Sequence, residues 1–260
     1  MTTRGTDGSA GDADYAAIGD GYAAYRQPEP EFEAAIAAAL GDARTVVNVG
    51  AGTGSYEPRD RAVTAVEPSA TMRAQRPRHL PVAVDATAES LPYPDGAFDA
   101  AMTTFSVHQW GDLDAGLAEL RRVATGPVVV LTCDPDRLER FWLHDYAPEV
   151  IETEAGRYPR VDRIAAGLGG EVDVVGLPIP LACVDRFGEA YYGRPEGLLD
   201  PGARTANSAW SFVTPSVQER FVDRLGADLG SGEWDRRFGH LRTQPHFDGS
   251  LVLVVGRPAG

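Results

Sequence analysis

The sequence predicts an α/β fold: a mostly parallel sheet of seven strands, helices on both faces, and a helical cap. Three observations carry this. Short apolar runs of β type alternate with helical stretches between Thr45 and Cys133, and such alternation folds as parallel strands joined by helical crossovers. The first run breaks into a glycine turn, Gly50-Ala51-Gly52-Thr53-Gly54, at the place where a parallel sheet receives ligands. After Pro135 the text becomes aromatic, mostly helical and punctuated by Pro and Gly, over stretches too long for ordinary loops.

Taken in order, residues 1 to 13 are Gly, Ser, Thr and Asp with no apolar period, which predicts a disordered start. Tyr15, Ile18, Tyr22 and Tyr25 then recur at helical spacing until Pro28-Glu29-Pro30 ends the segment. A second helix spans Glu31 to Leu40 and stops at Gly41. The predicted strands are Thr45 to Val49, Ala62 to Val66, Leu80 to Val84, Phe98 to Thr104, Pro127 to Cys133, Glu171 to Gly176 and Leu251 to Gly256. Leu113, Leu117, Leu120 and Val123 form one apolar helical face. The helix after the glycine turn must be short, because Pro58 is disfavoured in a helix interior. The chain thus divides into a core with N-terminal helices over 14–136, a cap over 137–160 and 181–248, inserted after the fifth and sixth strands, and the remaining core over 161–180 and 249–260.

Composition narrows the function. At 260 residues with 43% hydrophobic content the chain is long enough for a sizeable core. The formal charge of -14 opposes broad contact with nucleic acid or anionic membrane, leaving a small-molecule or peptide-like substrate. All 24 cations are Arg, which excludes a Lys Schiff base or Lys general base. Cys133 and Cys183 form no C-x-x-C and read as buried small hydrophobes. The five histidines lack H-x-x-x-H or H-E-x-x-H spacing, so no metal is expected. The longest apolar runs are too short to span a bilayer and the first residues are unlike a signal peptide, so the expected location is cytoplasmic.

The chemistry centres on the glycine turn. Glu67 stands seventeen residues after Gly50, at the end of the next apolar run, where an acid accepts ribose hydroxyls. Gly50, Gly52 and Gly54 let backbone approach a ligand without a Cβ, with their amides facing it. The spacing is G-x-G-x-G rather than G-x-G-x-x-G, and no phosphate loop is present, which favours a nucleoside cofactor without a pyrophosphate.

Four linked motifs, VVNVGAGTG, VTAVEPSATM, ATAESLPYPDGAFDAAMTTFSVHQW and LAELRRV followed by PVVVLTCDP, resemble in that order the class I S-adenosylmethionine (SAM) dependent methyltransferases of the small-molecule type 11 kind. The core likeness covers Val46 to Pro135, and YAAIGDGYAAYRQPEP upstream is similar to that family's N-terminal helix. FWLHDYAPE, YYGRPEGLLDP and LGSGEWDRRFG resemble a narrower bacterial subset linked to natural-product clusters. The resemblance implies a Rossmann-like fold, SAM as cofactor with S-adenosylhomocysteine as product, and methyl transfer to O or N of a small metabolite.

Carried over residue by residue, the resemblance implies that Gly50, Ala51 and Gly52 lie under the methionyl and ribose part, that Glu67 holds the ribose hydroxyls, and that Pro68 and Met72 follow, Met72 as an adenine wall. Thr87 stands where many relatives place an Asp for the adenine amino group, so Thr87, the Ala88 amide or Asp85 must serve. Asn48 replaces the acid that commonly ends the first strand beside the methionyl ammonium. Phe105 and Ser106 end the fourth strand beside the expected sulfonium, and Tyr15, Tyr22 and Arg26 form an N-terminal set for the methionyl carboxylate. His108, His144 and Tyr191 are the candidate catalytic groups, although transfer from a good leaving group often needs only alignment. Two other readings stay open on the sequence: a non-methylating cyclisation or elimination in the same pocket, and a non-catalytic binding module. A homodimer or a partner protein also stays open.

Overall fold

The computed structural model describes residues 22–258. The expectations for 1–13, for Tyr15 and for the side chain of Tyr22 lie outside the described residues.

The chain enters through α1 (Tyr22–Tyr25) and α2 (Pro30–Leu40). Glu29 caps α2 by accepting from the Glu31 amide, Pro30 opens it, and Gly41 at φ 55° closes it, the usual division between the two ends of a helix. Strands β1 (Thr45–Val49) and β2 (Ala62–Val66) pair in parallel, residue 45 against 62. After the short α3 (Ala70–Ala74) come β3 (Ala100–Thr104), α4 (Leu113–Val123) and β4 (Val128–Cys133). Asp112 caps α4 by accepting from the Ala115 amide, and Leu113, Leu117, Leu120 and Val123 are buried, as the apolar period requires.

Beyond β4 the chain forms a 3-10 turn (Pro135–Arg140), α5 (Leu143–Tyr146) and α6 (Pro148–Arg157). It returns to the core with α7 (Val161–Leu168) and β5 (Glu171–Gly176). A two-stranded ribbon of β6 (Ile179–Pro180) and β7 (His246–Phe247) brackets α8 (Pro201–Thr205), α9 (Pro215–Ser231) and α10 (Glu233–Phe238). Strand β8 (Leu251–Arg257) then enters the sheet antiparallel to both β4 and β5.

The main sheet has the order β2-β1-β3-β4-β8-β5, six strands where the sequence predicts seven. The missing one is Leu80 to Val84. It makes a single bridge, Val84 to Val66, because Pro81 carries no N–H for a ladder, and Val82 is 91% exposed. The expected helix after the glycine turn is also absent: 50–61 is turn and bend, with Pro58 in its middle.

Alternation along the strands divides the core between two faces. Val46, Met102, Val129, Leu131, Leu253 and Val255 face one side, packed with α2 and with cap residues such as Trp142, Tyr146 and Trp234. Val47, Ala101, Val128, Val130, Val252 and Val254 face the other, under Leu117 and Leu120 of α4 and Ile164 of α7. Tyr192 and Trp210 of the cap are also buried, whereas Phe212 is 42% exposed beneath Arg157. Both cysteines are free and buried.

Candidate functional site

Gly50, Gly52 and Gly54 have φ of 69°, 51° and 89°, a region in which an L side chain is strained. A Cβ on Gly50 would stand 1.8 Å from Ser106 Oγ, so the loop after β3 closes onto the turn only because residue 50 has no side chain. The amides of Gly50, Gly52 and Gly54, which the sequence turns toward a ligand, bond instead within the protein. Those of Gly50 and Ala51 both donate to the Val66 carbonyl at 2.9 Å, that of Gly54 to the Ala51 carbonyl at 2.8 Å, and that of Gly52 to Glu67 Oε2 at 2.7 Å. The pairing of β1 with β2 continues into the turn and uses these donors within the protein.

Glu67 is the link between the turn and β2. Its second oxygen accepts from the Ser69 amide at 2.8 Å, and Ser69 in turn caps α3 by accepting from Met72. Burial pushes the carboxyl up, opposed by the two amide bonds and by Arg73 and Arg76. Each oxygen has further acceptor capacity on the cavity side.

That cavity lies over the carboxyl ends of β1, β2 and β3 and opens to solvent. Of the residues singled out from sequence, Arg26, Gly50, Ala51, Gly52, Glu67, Pro68, Met72, Ala88, Phe105 and Ser106 all line it. Met72, Ala88 and Trp110 supply apolar walls. Trp110 is fixed by packing over Gly116, where a Cβ would come within 2.5 Å of its ring, and by its Nε1 donating to Ser106 Oγ at 3.1 Å. Phe105 is the one non-glycine residue with positive φ, 48°, among the described residues. This strained backbone turns its ring against Phe187, 5.6 Å between centroids, and beneath the Arg26 guanidinium at 5.0 Å.

Three of the expected cofactor residues stand elsewhere. Asn48 is buried behind the turn, where its Nδ2 donates to Glu57 Oε1 at 3.1 Å. Glu57 is itself held by Arg76 through bonds of 2.8 and 2.9 Å. Asp85 is half exposed and pairs with Arg73 at 3.2 Å. Thr87 is partly buried and is not among the lining residues, although its neighbour Ala88 is. Arg26, expected to await a carboxylate of the ligand, has one from the protein: its Nε donates to Asp185 Oδ1 at 2.5 Å.

The candidate catalytic groups also separate. His108 lies in an adjoining cavity that shares Arg26 and Phe105 with the first, its ring 4.4 Å from that of Tyr158. His144 belongs to α5 in the cap and lines neither cavity. Tyr191 is buried over Gly197, where a Cβ would come within 2.4 Å of its ring, so it is a packing residue of the cap.

Sequence reasoning missed Thr53, Ser55, Tyr56, Thr104, Gln109, Trp110 and Asp185 as lining residues. Thr53 sits inside the glycine turn and Ser55 just past it, and Gln109 and Trp110 end the VHQW text, so the signal for those was local. Tyr56 and Asp185 had none. Burial and the adjacent Asp185 push the Tyr56 phenol far up, so it donates to Asp185 Oδ2, at 2.6 Å.

Residues 47–127 match the family model described as "Methyltransferase domain". Among solved structures, a protein described as a methyltransferase from an antibiotic biosynthesis pathway of Anabaena variabilis ATCC 29413 superposes with a TM-score of 0.83. It is 28% identical, over 89% of this chain and 98% of that one. A SAM-dependent methyltransferase of Thermotoga maritima, described as a possible histamine N-methyltransferase, gives 0.55 at 16% identity, covering 92% and 93%. A protein of Bacillus halodurans C-125 described as a methyltransferase gives 0.52 at 15%, covering 88% and 98%. The last two likenesses are of fold. No curated protein matches the chain. Among the described residues, no helix is long and apolar enough to cross a membrane.

Proposed function

We propose, from the premise that this chain is a class I SAM-dependent methyltransferase, that it methylates an oxygen or nitrogen of a small bacterial metabolite, in natural-product biosynthesis in the cytoplasm. The similarity to a protein described as belonging to an antibiotic pathway supports the setting. The observation that carries the reading is Glu67, a carboxylate fixed by two backbone amides at the mouth of a glycine turn and facing a cavity walled by Met72, Ala88 and Trp110.

The donor set fits SAM. Two carboxylates, Glu67 and Asp185, and one guanidinium, Arg26, line the cavity, so its charge suits a cationic nucleoside and gives a pyrophosphate little to bind. Glu67 would hold the ribose hydroxyls, and Met72, Ala88 and Trp110 would hold the adenine. Thr53, Ser55, Ser106 and Gln109 offer hydrogen bonds to the amino-acid end.

When bound, SAM supplies an electrophilic methyl carbon: the bond to the acceptor forms as the carbon–sulfur bond breaks, its electron pair stays on sulfur, and the acceptor gives up a proton. The protein's part is chiefly alignment, which can supply a large share of a barrier reduction. Arg26 and Phe105 line both this cavity and the one that holds His108, whose imidazole would receive the acceptor's proton. An imidazole suits that role near neutral pH.

Calorimetry with SAM and with S-adenosylhomocysteine tests the reading first, and both should bind. Absence of heat and of any thermal shift would overturn it. Methyl-labelled SAM incubated with panels of small phenols, alcohols and amines should then pass label to a product. A product of unchanged carbon count would replace methyl transfer with cyclisation or elimination.

A further inference from the structure

Two further cavities continue from the first into the cap. The middle one shares Arg26 and Phe105 with the cofactor cavity and adds His108, Tyr158 and Ser208. The inner one shares Cys133, Glu154, Phe187 and Asn207 with the middle one. The three spaces therefore run in sequence, each adjoining the next along the residues that they share.

Their chemistry changes along that line. The middle cavity offers a hydrogen-bonding rim, His108, Asn207 and Ser208, between the aromatic faces of Phe105, Phe187 and Tyr158. The inner one is walled by Leu138, Phe141, Leu143, Val150, Ile151 and Trp210, all buried. Its polar walls include two acids, Glu154 and Glu189, with no Arg among the lining residues, and the sequence contains no Lys. Such a space is favourable for uncharged hydrocarbon and unfavourable for an anion.

We propose that the acceptor is an amphipathic molecule with one hydroxyl or amine head in the middle cavity, beside His108, and an uncharged apolar body in the inner cavity of the cap. This rests on the reading of the outer cavity as the SAM site. The order of the spaces then sets the order of the molecule: reactive head toward the cofactor, hydrocarbon away from it. A ring next to the head meets Phe105, Phe187 and Tyr158, where aromatic contacts add to burial. An alkyl extension reaches the aliphatic walls of α5 and α6.

The probes are phenol, 4-ethylphenol and 4-butylphenol, titrated by calorimetry into the intact chain with and without S-adenosylhomocysteine. Affinity should rise about fourfold for each methylene that enters the inner cavity. 3-(4-Hydroxyphenyl)propionate, which carries a carboxylate on a tail of similar length, should bind at least about tenfold more weakly than 4-butylphenol, because that carboxylate meets Glu154 and Glu189. Ala209→Leu, which narrows the inner cavity, should cost about tenfold for 4-butylphenol and leave phenol and SAM binding unchanged. Affinity that is flat along the series, or equal for the carboxylate, would overturn the proposal on the unaltered chain, whether or not the variant folds. Loss of SAM binding with the alkyl series intact would instead remove the methyltransferase reading and keep the apolar cavity.

Discussion

Arg26 and Asp185 are joined across 159 residues: Nε donates to Oδ1 at 2.5 Å while the Tyr56 phenol donates to Oδ2 at 2.6 Å. The pair ties the N-terminal segment to the cap where both residues line the cavity beside Glu67. Glu29, the cap of α2, reinforces the tie: its Oε2 accepts from the Val184 amide at 2.9 Å, and its own amide donates to the Tyr56 oxygen at 3.3 Å. Asp185→Asn removes the carboxylate charge that Arg26, 12% exposed, meets through Nε, so the variant should lose about 3 kcal/mol in urea unfolding. Arg26→Met combined with Asp185→Leu should recover part of that loss, the remainder being the Tyr56 phenol left without its acceptor. A single variant within about 1 kcal/mol of the parent would show that the pair carries little of the tie.

Glu67 has a role that a ligand can reveal. Glu67→Gln keeps the shape and one acceptor oxygen but removes the charge that strengthens bonds to hydroxyls, a difference of about 1.5 to 3 kcal/mol. SAM affinity should therefore fall by roughly tenfold to a hundredfold. The variant also puts an amide donor against the Gly52 or Ser69 N–H, so some of the loss should appear as a lower melting temperature. Calorimetry and thermal unfolding on the same sample separate the two, and unchanged affinity would mean that Glu67 serves only to brace the turn.

Asn48 gains its explanation from Glu57. The sequence reading treats residue 48 as the place of a lost acid, but the structure supplies an acid nine residues later, accepting from Asn48 Nδ2 at 3.1 Å. Asn48→Asp would set two buried carboxylates against each other with only Arg76 to share, raising the pKa of one of them. The expected outcome is a loss of about 1 to 3 kcal/mol at pH 7.5 that shrinks at pH 5, when the raised group takes up a proton. Glu57→Gln in the same chain should relieve it. Full stability at pH 7.5 would show that the two side chains do not face one another.

The parts of this fold that were legible in the sequence are those fixed by neighbours in the chain. Thr45–Val49, Ala62–Val66, Leu113–Val123 and Glu171–Gly176 form with the bounds their patterns suggest, because alternation, helical period and the Asp112 cap are local signals. The third strand failed for an equally local reason, Pro81, which the apolar text of Leu80 to Val84 outweighed. The site divides in the same way. Gly50, Gly52, Glu67 and Met72 sit within one strand–turn–strand–helix passage, and spacing brings them together. Asp185 reaches the same cavity from the cap and Tyr56 accompanies it from the turn, a juxtaposition that only tertiary packing creates. Arg76 was unreadable for the opposite reason: an Arg in polar text has an exposed appearance, yet its side chain is 4% exposed against Glu57.

Glu189 makes the cap's stability depend on pH. It is 2% exposed, and its carboxylate accepts from Ser250: the amide lies 3.0 Å from both oxygens and Oγ lies 2.5 Å from one. Burial pushes the carboxyl up to about 7, against these bonds and the more distant Arg137. In the unfolded chain a Glu titrates near about 4.3. Between those values the folded state holds a proton that the unfolded state has released, so stability falls as pH rises through the window and levels off above about 7. The size of that fall from this one group is on the order of 3 kcal/mol. Glu189→Gln stays neutral throughout and still accepts from the Ser250 amide, so its unfolding free energy should be flatter between pH 5 and 7.5 by that amount, and higher than the parent's at pH 7.5. Parallel profiles for the two proteins would show that Glu189 titrates at an ordinary value. Because Glu189 also lines the inner cavity, 4-butylphenol bound there should exclude water from it and hold the proton more firmly, making the ligand's affinity greater at pH 6 than at pH 8 in the parent and equal at both in Glu189→Gln.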